Sequence, residues 1–225
     1  MRSNDEFRKL LIEQILAGER ERANALIDEA AASGSYRQAM QEILEPVLIE
    51  IGNQWADENI SLAQGYVAGK VAEDLLLKIS ATEQTGLGQP PEKGPVVLGN
   101  IEDDYHSLGR RLVSIFLQSA GWKVIDMGSD VLAKEFVDKA VETGARVIGA
   151  SAMMYTTAGN IRKIREELDR RGLSARIKLA VGGAVFRLRS ELADEVGADG
   201  TAANGFQVPV LFEALWERSL REAPG

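Results

Sequence analysis

The stretch Val96-Val-Leu-Gly-Asn-Ile-Glu-Asp-Asp-Tyr-His-Ser-Leu-Gly109 decides the fold, because it carries a short apolar run into a polar loop. The apolar run at 96–99 predicts a buried strand. The residues after the loop, 109–120, predict a helix because large apolar side chains recur on one face, at Leu112, Val113, Phe116 and Leu117. A strand, a loop and a helix in this order form the first half of a βαβ unit.

The same alternation continues along the rest of the chain. Further strand-like runs lie at 123–126, 146–150 and 177–181, with a weak fifth at 200–202. Helical patterns separate and follow them at 131–142, 158–171, 188–196 and 208–220. Because alternating strands and helices build parallel sheets with right-handed crossovers, we predict a flavodoxin- or Rossmann-like α/β domain with a five-stranded parallel sheet. Ligands of such sheets bind at the carboxyl ends of the strands.

The first 80 residues show helical periodicity and no strand-like run. We predict four helices, at about 5–17, 20–32, 35–53 and 60–80, with a kink at Pro46 in the third. Four helices in this length form a small antiparallel bundle. The stretch that follows, 85–94, is rich in Gly and Pro and has no periodicity. We therefore expect a helical domain at 1–83, a linker at 84–94 and the α/β domain at 95–225.

Composition excludes several kinds of chemistry. The chain has 225 residues with no Cys and one His, which excludes disulfides, thiolate metal sites, a Cys nucleophile and a site built from several histidines. A net charge of −8 disfavours binding to nucleic-acid phosphates. The apolar runs are too short to span a membrane, and the charged N-terminal stretch lacks the apolar block of a signal peptide. We expect a cytoplasmic protein without nucleic-acid or membrane partners.

The one histidine lies in the loop after the first predicted strand, within Asp104-x-His106-x-x-Gly109. An Asp at this spacing can accept a hydrogen bond from one ring nitrogen, which fixes the tautomer and leaves the other nitrogen free as a base or metal ligand. Gly109 allows another group to approach the helix closely. Taken alone, a pattern this short is more typical of a chance surface histidine.

Two other loops at the same edge of the sheet strengthen the functional interpretation. After the third strand comes Ser151-Ala-Met-Met-Tyr-Thr-Thr157, which is rich in small and hydroxyl residues. After the fourth strand comes Val181-Gly-Gly-Ala184, where missing side chains would let a bulky ligand lie against the backbone. Together the three loops predict a deep polar slot beside the histidine.

In combination these motifs resemble the cobalamin-binding domains of corrinoid proteins, whose signature is D-x-H-x-x-G, then S-x-L, then G-G, in a flavodoxin-like fold. A small helical domain precedes the α/β domain in that family as well, so the resemblance covers essentially the whole chain. The matching positions are Asp104, His106 and Gly109, then Ser151 with Met153 in place of the Leu, then Gly182 and Gly183.

The resemblance implies a mode of cofactor binding. The dimethylbenzimidazole tail of cobalamin would leave the cobalt and enter the slot, and His106 would become the lower axial ligand of the cobalt. Asp104 would bind the far ring nitrogen and Thr157 would extend that contact to a hydroxyl, so that protonation of the Asp–His pair weakens ligation. No catalytic residue beyond this ligand is expected. The other expected contacts in these loops are Tyr105, Ser107, Leu108, Gly109, Ser151, Met153, Tyr155, Thr156, Gly182, Gly183 and Ala184.

The stretch Trp55-Ala-Asp-Glu-Asn-Ile-Ser-Leu-Ala-Gln-Gly-Tyr66 resembles the part of cobalamin-based light sensors that carries W-x9-E-H. The Trp is kept, and Gly65 and Tyr66 replace the polar pair. The resemblance implies that the helical domain is a cap and places Trp55 and Tyr66 over the upper axial face of the corrin. A buried aromatic at a helix junction is an equally open interpretation of Trp55.

A cap joined to a cobalamin domain resembles the corrinoid protein of anaerobic methyltransferase systems. Such a protein would shuttle a methyl group from a substrate methyltransferase to a second methyltransferase with tetrahydrofolate or a thiol as acceptor, and a reductive activase would be a further partner. The cap would have to move, with the linker as hinge. Two alternatives stay open, namely a cobalamin sensor that acts through a protein partner and a flavodoxin-like module with another ligand or none.

Overall fold

The computed structural model describes residues 2–56, 59–85, 93–203 and 205–223. The chain divides into two compact units, Met1–Gly88 and Gln89–Gly225. Within the described residues, no helix combines the length and the apolar character that crossing a membrane requires.

The N-terminal unit is helical. Its elements are α1 (Asn4–Leu16), α2 (Arg20–Ala31), α3 (Tyr36–Ala39), a π-helical turn (Met40–Leu44), α4 (Glu45–Ala56) and α5 (Leu62–Thr85). Ser3 begins α1 with a capping box, in which its hydroxyl accepts the Glu6 N–H and the Glu6 carboxylate accepts the Ser3 N–H. The buried face of the unit is aliphatic, with Leu11, Ile15, Ile27, Leu44, Val71 and Leu75 almost fully enclosed.

The predicted kink at Pro46 corresponds to the π-helical turn Met40–Leu44, which directly precedes α4. Pro46 has no N–H to donate to the carbonyl of Glu42 four residues earlier. The Nε of Arg8 in α1 donates to that carbonyl instead, at 2.8 Å. The Glu45 N–H reaches back to the carbonyl of Met40, which is the wider hydrogen bond of a π turn. The break in the third helix is therefore a consequence of the proline and is stabilised from α1.

The C-terminal unit alternates strands and helices. Its strands are β1 (Lys93–Asn100), β2 (Trp122–Asp126), β3 (Val147–Ser151), β4 (Lys178–Gly182) and β5 (Gly200–Thr201). Its helices are α6 (Ser107–Ser119), α7 (Ala133–Thr143), α8 (Tyr155–Ala158), α9 (Arg162–Arg170), α10 (Ala184–Leu188), α11 (Leu192–Glu195) and α12 (Val208–Glu222), with short 3-10 turns at Gly159–Ile161 and Gly205–Gln207.

All strand pairs are parallel, and their order in the sheet is β2-β1-β3-β4-β5. This is the flavodoxin-like order, and it confirms the predicted five-stranded parallel sheet. Side chains of β1 alternate between the two faces: Val97 packs with Phe136 of α7, whereas Val96 and Leu98 pack with Phe212 of α12. Helices therefore cover both faces of the sheet.

Several predicted boundaries were wrong. The helix predicted at 188–196 is two short helices, α10 and α11, because Val185 and Phe186 enter the core directly after β4 and Arg189 is extended. The helical region predicted from 158 begins three residues earlier, at Tyr155. Strand β1 begins inside the predicted linker because the Lys93 N–H donates to the carbonyl of Gly121, and α5 continues to Thr85. The rest of that linker, 86–92, lies outside the described residues.

Candidate functional site

Three polar loops begin side by side at the carboxyl edge of the sheet. Asn100 at the end of β1 pairs with Ser151 at the end of β3, and Ser151 pairs with Gly182 at the end of β4. The Ile101 N–H donates to the carbonyl of Ser151, and the Ala152 N–H donates to the carbonyl of Gly182, both at 3.0 Å. The switch in strand order lies between β1 and β3, where sheets of this type bind their ligands.

The centre of this edge is the fully buried carboxylate of Asp104. Its Oδ1 accepts the His106 N–H at 3.0 Å and the Asn100 Nδ2 at 2.9 Å. Its Oδ2 accepts the Met153 N–H at 2.7 Å and the Thr157 hydroxyl at 3.0 Å. Burial favours the neutral acid, but these donors outweigh burial and hold the pKa of Asp104 below its usual range. Asp104 therefore stays an anion inside the fold and ties the loops after β1 and β3 together.

The imidazole of His106 lies at the surface beside this anion, with half of its side chain exposed. Its Nδ1 is 3.4 Å from Oδ1 of Asp104, which is longer than an ordinary N–H···O hydrogen bond. Because Nδ1 faces the carboxylate, Nε2 is the ring nitrogen left for a ligand.

The loop after β3 contributes one hydroxyl to this cluster. Thr157 is buried, and its Oγ1 can donate its single proton to Asp104 or to the carbonyl of Met154, at 3.0 and 3.1 Å. Ser151 is half-buried at the end of β3. Met153, Tyr155 and Thr156 are exposed, and the ring of Tyr155 lies 4.9 Å below the guanidinium of Arg189.

The two glycines after β4 differ in their surroundings. A Cβ built on Gly182 would meet no atom within 4 Å, which fits a ligand lying against the backbone. A Cβ on Gly183 would come within 1.9 Å of the carbonyl oxygen of Ala152, and Gly183 has a φ of +117°. The fold itself therefore requires glycine at position 183, and the sequence explanation for Gly183, space for a ligand, stays a prediction. Ala184 follows as the first residue of α10.

The loop before His106 is fixed from the side by Asp130. The Asp130 carboxylate accepts the Asp103 N–H at 2.8 Å and the Tyr105 hydroxyl at 2.7 Å, and the Asp130 N–H donates to the carbonyl of Asp104 at 3.2 Å. Both Asp103 and Asp130 adopt positive φ angles, 67° and 60°, which Asp tolerates better than most residues. The Asp103 N–H and the Tyr105 hydroxyl lower the pKa of Asp130. The hydrogen bond with Asp130 in turn raises the pKa of Tyr105.

Helix α6 begins at this loop. Its first residue, Ser107, and the following Leu108 are half-buried, and Gly109 is exposed with no atom within 4 Å of a built Cβ. The space that the sequence predicts beside Gly109 is thus present.

Sequence reasoning missed two buried residues that contact this cluster, Asn100 and Arg110. Asn100 is fully buried, and Arg110 is 7% exposed. The signals were available: an amide directly after the apolar run at 96–99, and a cation in the first turns of a helix, where the dipole disfavours positive charge. The partners of Asn100 lie four to ten residues away, on the loop and helix that follow it, and Arg110 pairs with the next strand, so the pattern alone did not reveal these contacts.

Trp55 and Tyr66 belong to the N-terminal unit. Tyr66 lies on α5, is 64% exposed and has the Lys70 Nζ 5.5 Å from its ring centroid. The backbone of Trp55 lies in α4, and its side chain is outside the described residues. The expectation that both residues lie over the upper face of a corrin stays a prediction.

Comparison with known proteins identifies both units. Two family models described as B12 binding domains match the chain, one at residues 94–209 and the other at residues 8–77. Dimethylamine corrinoid protein 2 of Methanosarcina mazei is 40% identical over 159 residues, which cover 70% of this chain and 70% of that protein.

Solved structures share the fold. The monomethylamine corrinoid protein of Methanosarcina barkeri superposes with a TM-score of 0.78 at 23% identity, covering 94% of this chain and 100% of that one. A chain of the methanol:cobalamin methyltransferase complex of the same species superposes with a TM-score of 0.52 at 21% identity, covering 97% of this chain and 84% of that one.

Proposed function

We propose that this chain carries a methyl group between two partner enzymes, because it belongs to the B12-binding corrinoid proteins of methyltransferase systems. The family membership makes cobalamin the cofactor of the chain. When bound, cobalamin supplies a cobalt atom that can accept and release a methyl group. The residues of this chain hold and tune that atom.

The residues at the sheet edge fit such a cofactor. The His106 side chain is half exposed while its Nδ1 faces a buried anion, which is the arrangement that orients a metal-binding imidazole. A Cβ on Gly109, at the end of the histidine loop, would meet no atom within 4 Å, and the same holds for Gly182 at the end of β4. Both positions therefore leave space for a ligand. The single observation that carries the proposal is the Asp104 carboxylate, which receives four donors and lies beside the only imidazole in the chain.

We assign roles to these residues as follows. His106 would hold the cobalt through Nε2, and Asp104 would orient the ring and strengthen it as a ligand through Nδ1. Thr157 and the backbone of Met153 hold Asp104 in place. The space beside Ser151 and Gly182 would hold the tail of the cofactor, with Met153, Tyr155, Thr156, Thr157, Gly183 and Ala184 around it. Tyr105, Ser107, Leu108 and Gly109 would make further contacts with the cofactor.

The proposed partners are a substrate methyltransferase, an acceptor methyltransferase that uses tetrahydrofolate or a thiol, and a reductive activase. Because a relative is named for dimethylamine, methylamines are the donor class to test first. Cytoplasmic localisation stays a prediction.

The test begins with anaerobic reconstitution of the protein with cobalamin. We expect the absorption spectrum of cobalamin whose own base has left the cobalt and been replaced by histidine. His106→Ala should bind the cofactor with a different spectrum, and Gln118→Ala, at an exposed position near the far end of α6, should keep the spectrum of the wild type. A His106→Ala spectrum identical to that of the wild type would rule out His106 as the ligand.

Methyl transfer distinguishes a carrier from a sensor. The loaded wild-type protein should accept a methyl group when mixed with a methylamine:corrinoid methyltransferase and its amine, and should lose the group to an acceptor methyltransferase. Failure to accept a methyl group, together with a preference for adenosylcobalamin and a change of oligomeric state on illumination, would favour the sensor that the Trp55 motif suggests.

A further inference from the structure

A chain of polar contacts leads from Asp104 along the carboxyl edge of the sheet toward β2. The Nδ2 of Asn100 donates to Oδ1 of Asp104 at 2.9 Å, and the Nε of Arg110 donates to Oδ1 of Asn100 at 2.7 Å. The guanidinium of Arg110 then forms an ion pair with Asp126 at the end of β2. Asn100 is fully buried, Arg110 nearly so, and the Asp126 side chain is 34% exposed.

The direction of each hydrogen bond in this chain is fixed by Arg110. A guanidinium can only donate, so the oxygen of the Asn100 amide must face Arg110 and its NH2 group must face Asp104. The same NH2 group also donates to the carbonyl of His106, at 3.1 Å. The backbone of His106 is thus held on both sides, with its N–H on Asp104 and its carbonyl on Asn100.

We propose that Asn100 and Arg110 are positioning residues that set how strongly Asp104 binds the ring of His106, and that Asp126 moderates the charge of Arg110. The proposal rests on the proposed role of His106 as the cobalt ligand. The residues act through Asp104 and do not touch the cofactor.

The physical reason is competition for one carboxylate oxygen. Oδ1 of Asp104 already accepts two hydrogen bonds, from Asn100 and from the His106 N–H, and Nδ1 of His106 stands off at 3.4 Å. The positive charge of Arg110 polarises the Asn100 amide and strengthens its donation, because hydrogen bonds in a buried chain reinforce one another. A carboxylate that is better satisfied by Asn100 is a weaker acceptor for the imidazole. His106 is then a weaker ligand than it would be if Asp104 bound the ring without these competing donors.

Two variants should have opposite effects. Arg110→Gln removes the charge but keeps an N–H donor facing Asn100, so Asp104 should bind the ring more strongly. Asp126→Asn leaves the Arg110 charge without its partner, so Asp104 should bind the ring more weakly. The Asn side chain keeps the Oδ1 that accepts the Gly128 N–H at 2.9 Å, so this hydrogen bond is retained in Asp126→Asn. A purely structural role would disturb the site in the same sense in both variants.

The readout is the midpoint potential of the one-electron cobalt couple in the reconstituted protein, measured by spectroelectrochemistry. Stronger binding of His106 to the oxidised form lowers the potential, by about 59 mV for each tenfold gain in that affinity. We expect Arg110→Gln to lie below the wild type and Asp126→Asn to lie above it. The melting temperatures of the cofactor-free variants serve as folding controls.

His106→Ala separates the two possible failures. If His106→Ala and the wild type have the same potential, His106 is not the ligand and the proposed function fails. If they differ while Arg110→Gln and Asp126→Asn both match the wild type, or both move in one direction, the positioning role is overturned. In apo protein labelled with 15N-histidine, the Nδ1 resonance of the single histidine should shift in opposite directions in the two variants.

Discussion

Replacing Thr157 by Val should destabilise the C-terminal unit measurably, because Val has the shape of Thr without the hydroxyl. The Thr157 Oγ1 donates to Oδ2 of Asp104 at 3.0 Å, and the carboxylate is fully buried. Removing this donor leaves three hydrogen bonds on a buried anion, and water cannot replace the fourth while the carboxylate stays enclosed. A hydrogen bond to a charged group contributes about 1.5–3 kcal/mol, so we expect a loss of that size in the free energy of unfolding.

The assay is urea unfolding of the cofactor-free protein, followed by tryptophan fluorescence. Two of the three tryptophans, Trp122 and Trp216, lie in the C-terminal unit and pack against each other, so the signal reports chiefly on that unit. Thr157→Ser keeps the hydroxyl and loses only a methyl group, which costs about 1 kcal/mol at most. If Thr157→Val lost less than about 0.5 kcal/mol, or Thr157→Ser lost as much as Thr157→Val, the hydroxyl would not stabilise Asp104 as described.

Three further predictions concern stability and binding. Gly183→Ala should lower the free energy of unfolding by about 1–3 kcal/mol or more in urea titrations. Gly183 has a positive φ, and a Cβ at this position would collide with the Ala152 carbonyl oxygen. Gly182→Ala, the neighbouring control, should leave stability within about 0.5 kcal/mol and weaken cobalamin binding in equilibrium titrations; unchanged binding would contradict the slot. Lys178 and Arg218 lower the pKa of Glu222 to about 2, so the stability that its carboxylate contributes is complete above its ordinary pKa of 4.5 and fades as the pH falls toward 2. Glu222→Gln should therefore lower the urea midpoint more at about pH 6 than at about pH 3, and an equal effect at both pH values would refute the assignment.

The sheet and its ligand edge could be predicted from the sequence because each strand is a short buried run between helical patterns. The loop motifs then had to meet at one edge, since parallel strands end on the same side of a sheet. Asp104, His106 and Thr157 follow from this rule, and in the structure one buried carboxylate holds the other two residues together.

The remaining features depend on contacts that no local pattern encodes. The donation of Arg110 to Asn100 joins residues ten positions apart on different elements, and the pairing of Arg110 with Asp126 crosses to the next strand. The role of Gly183 depends on the position of the Ala152 carbonyl in another loop. Likewise, Pro46 predicted a kink, but the compensating bond from Arg8 becomes visible only once α1 is packed beside it.

The most direct test of the central claim is electron paramagnetic resonance of the Co(II)-loaded protein prepared with 15N-labelled histidine. The chain contains one histidine, so the label marks His106 alone. An axial 14N splits each cobalt line into a triplet, whereas 15N splits it into a doublet. If His106 is the lower ligand, the triplets of the unlabelled protein become doublets on labelling. Triplets that persist in the labelled protein would show that the axial nitrogen belongs to the cofactor and would contradict the account.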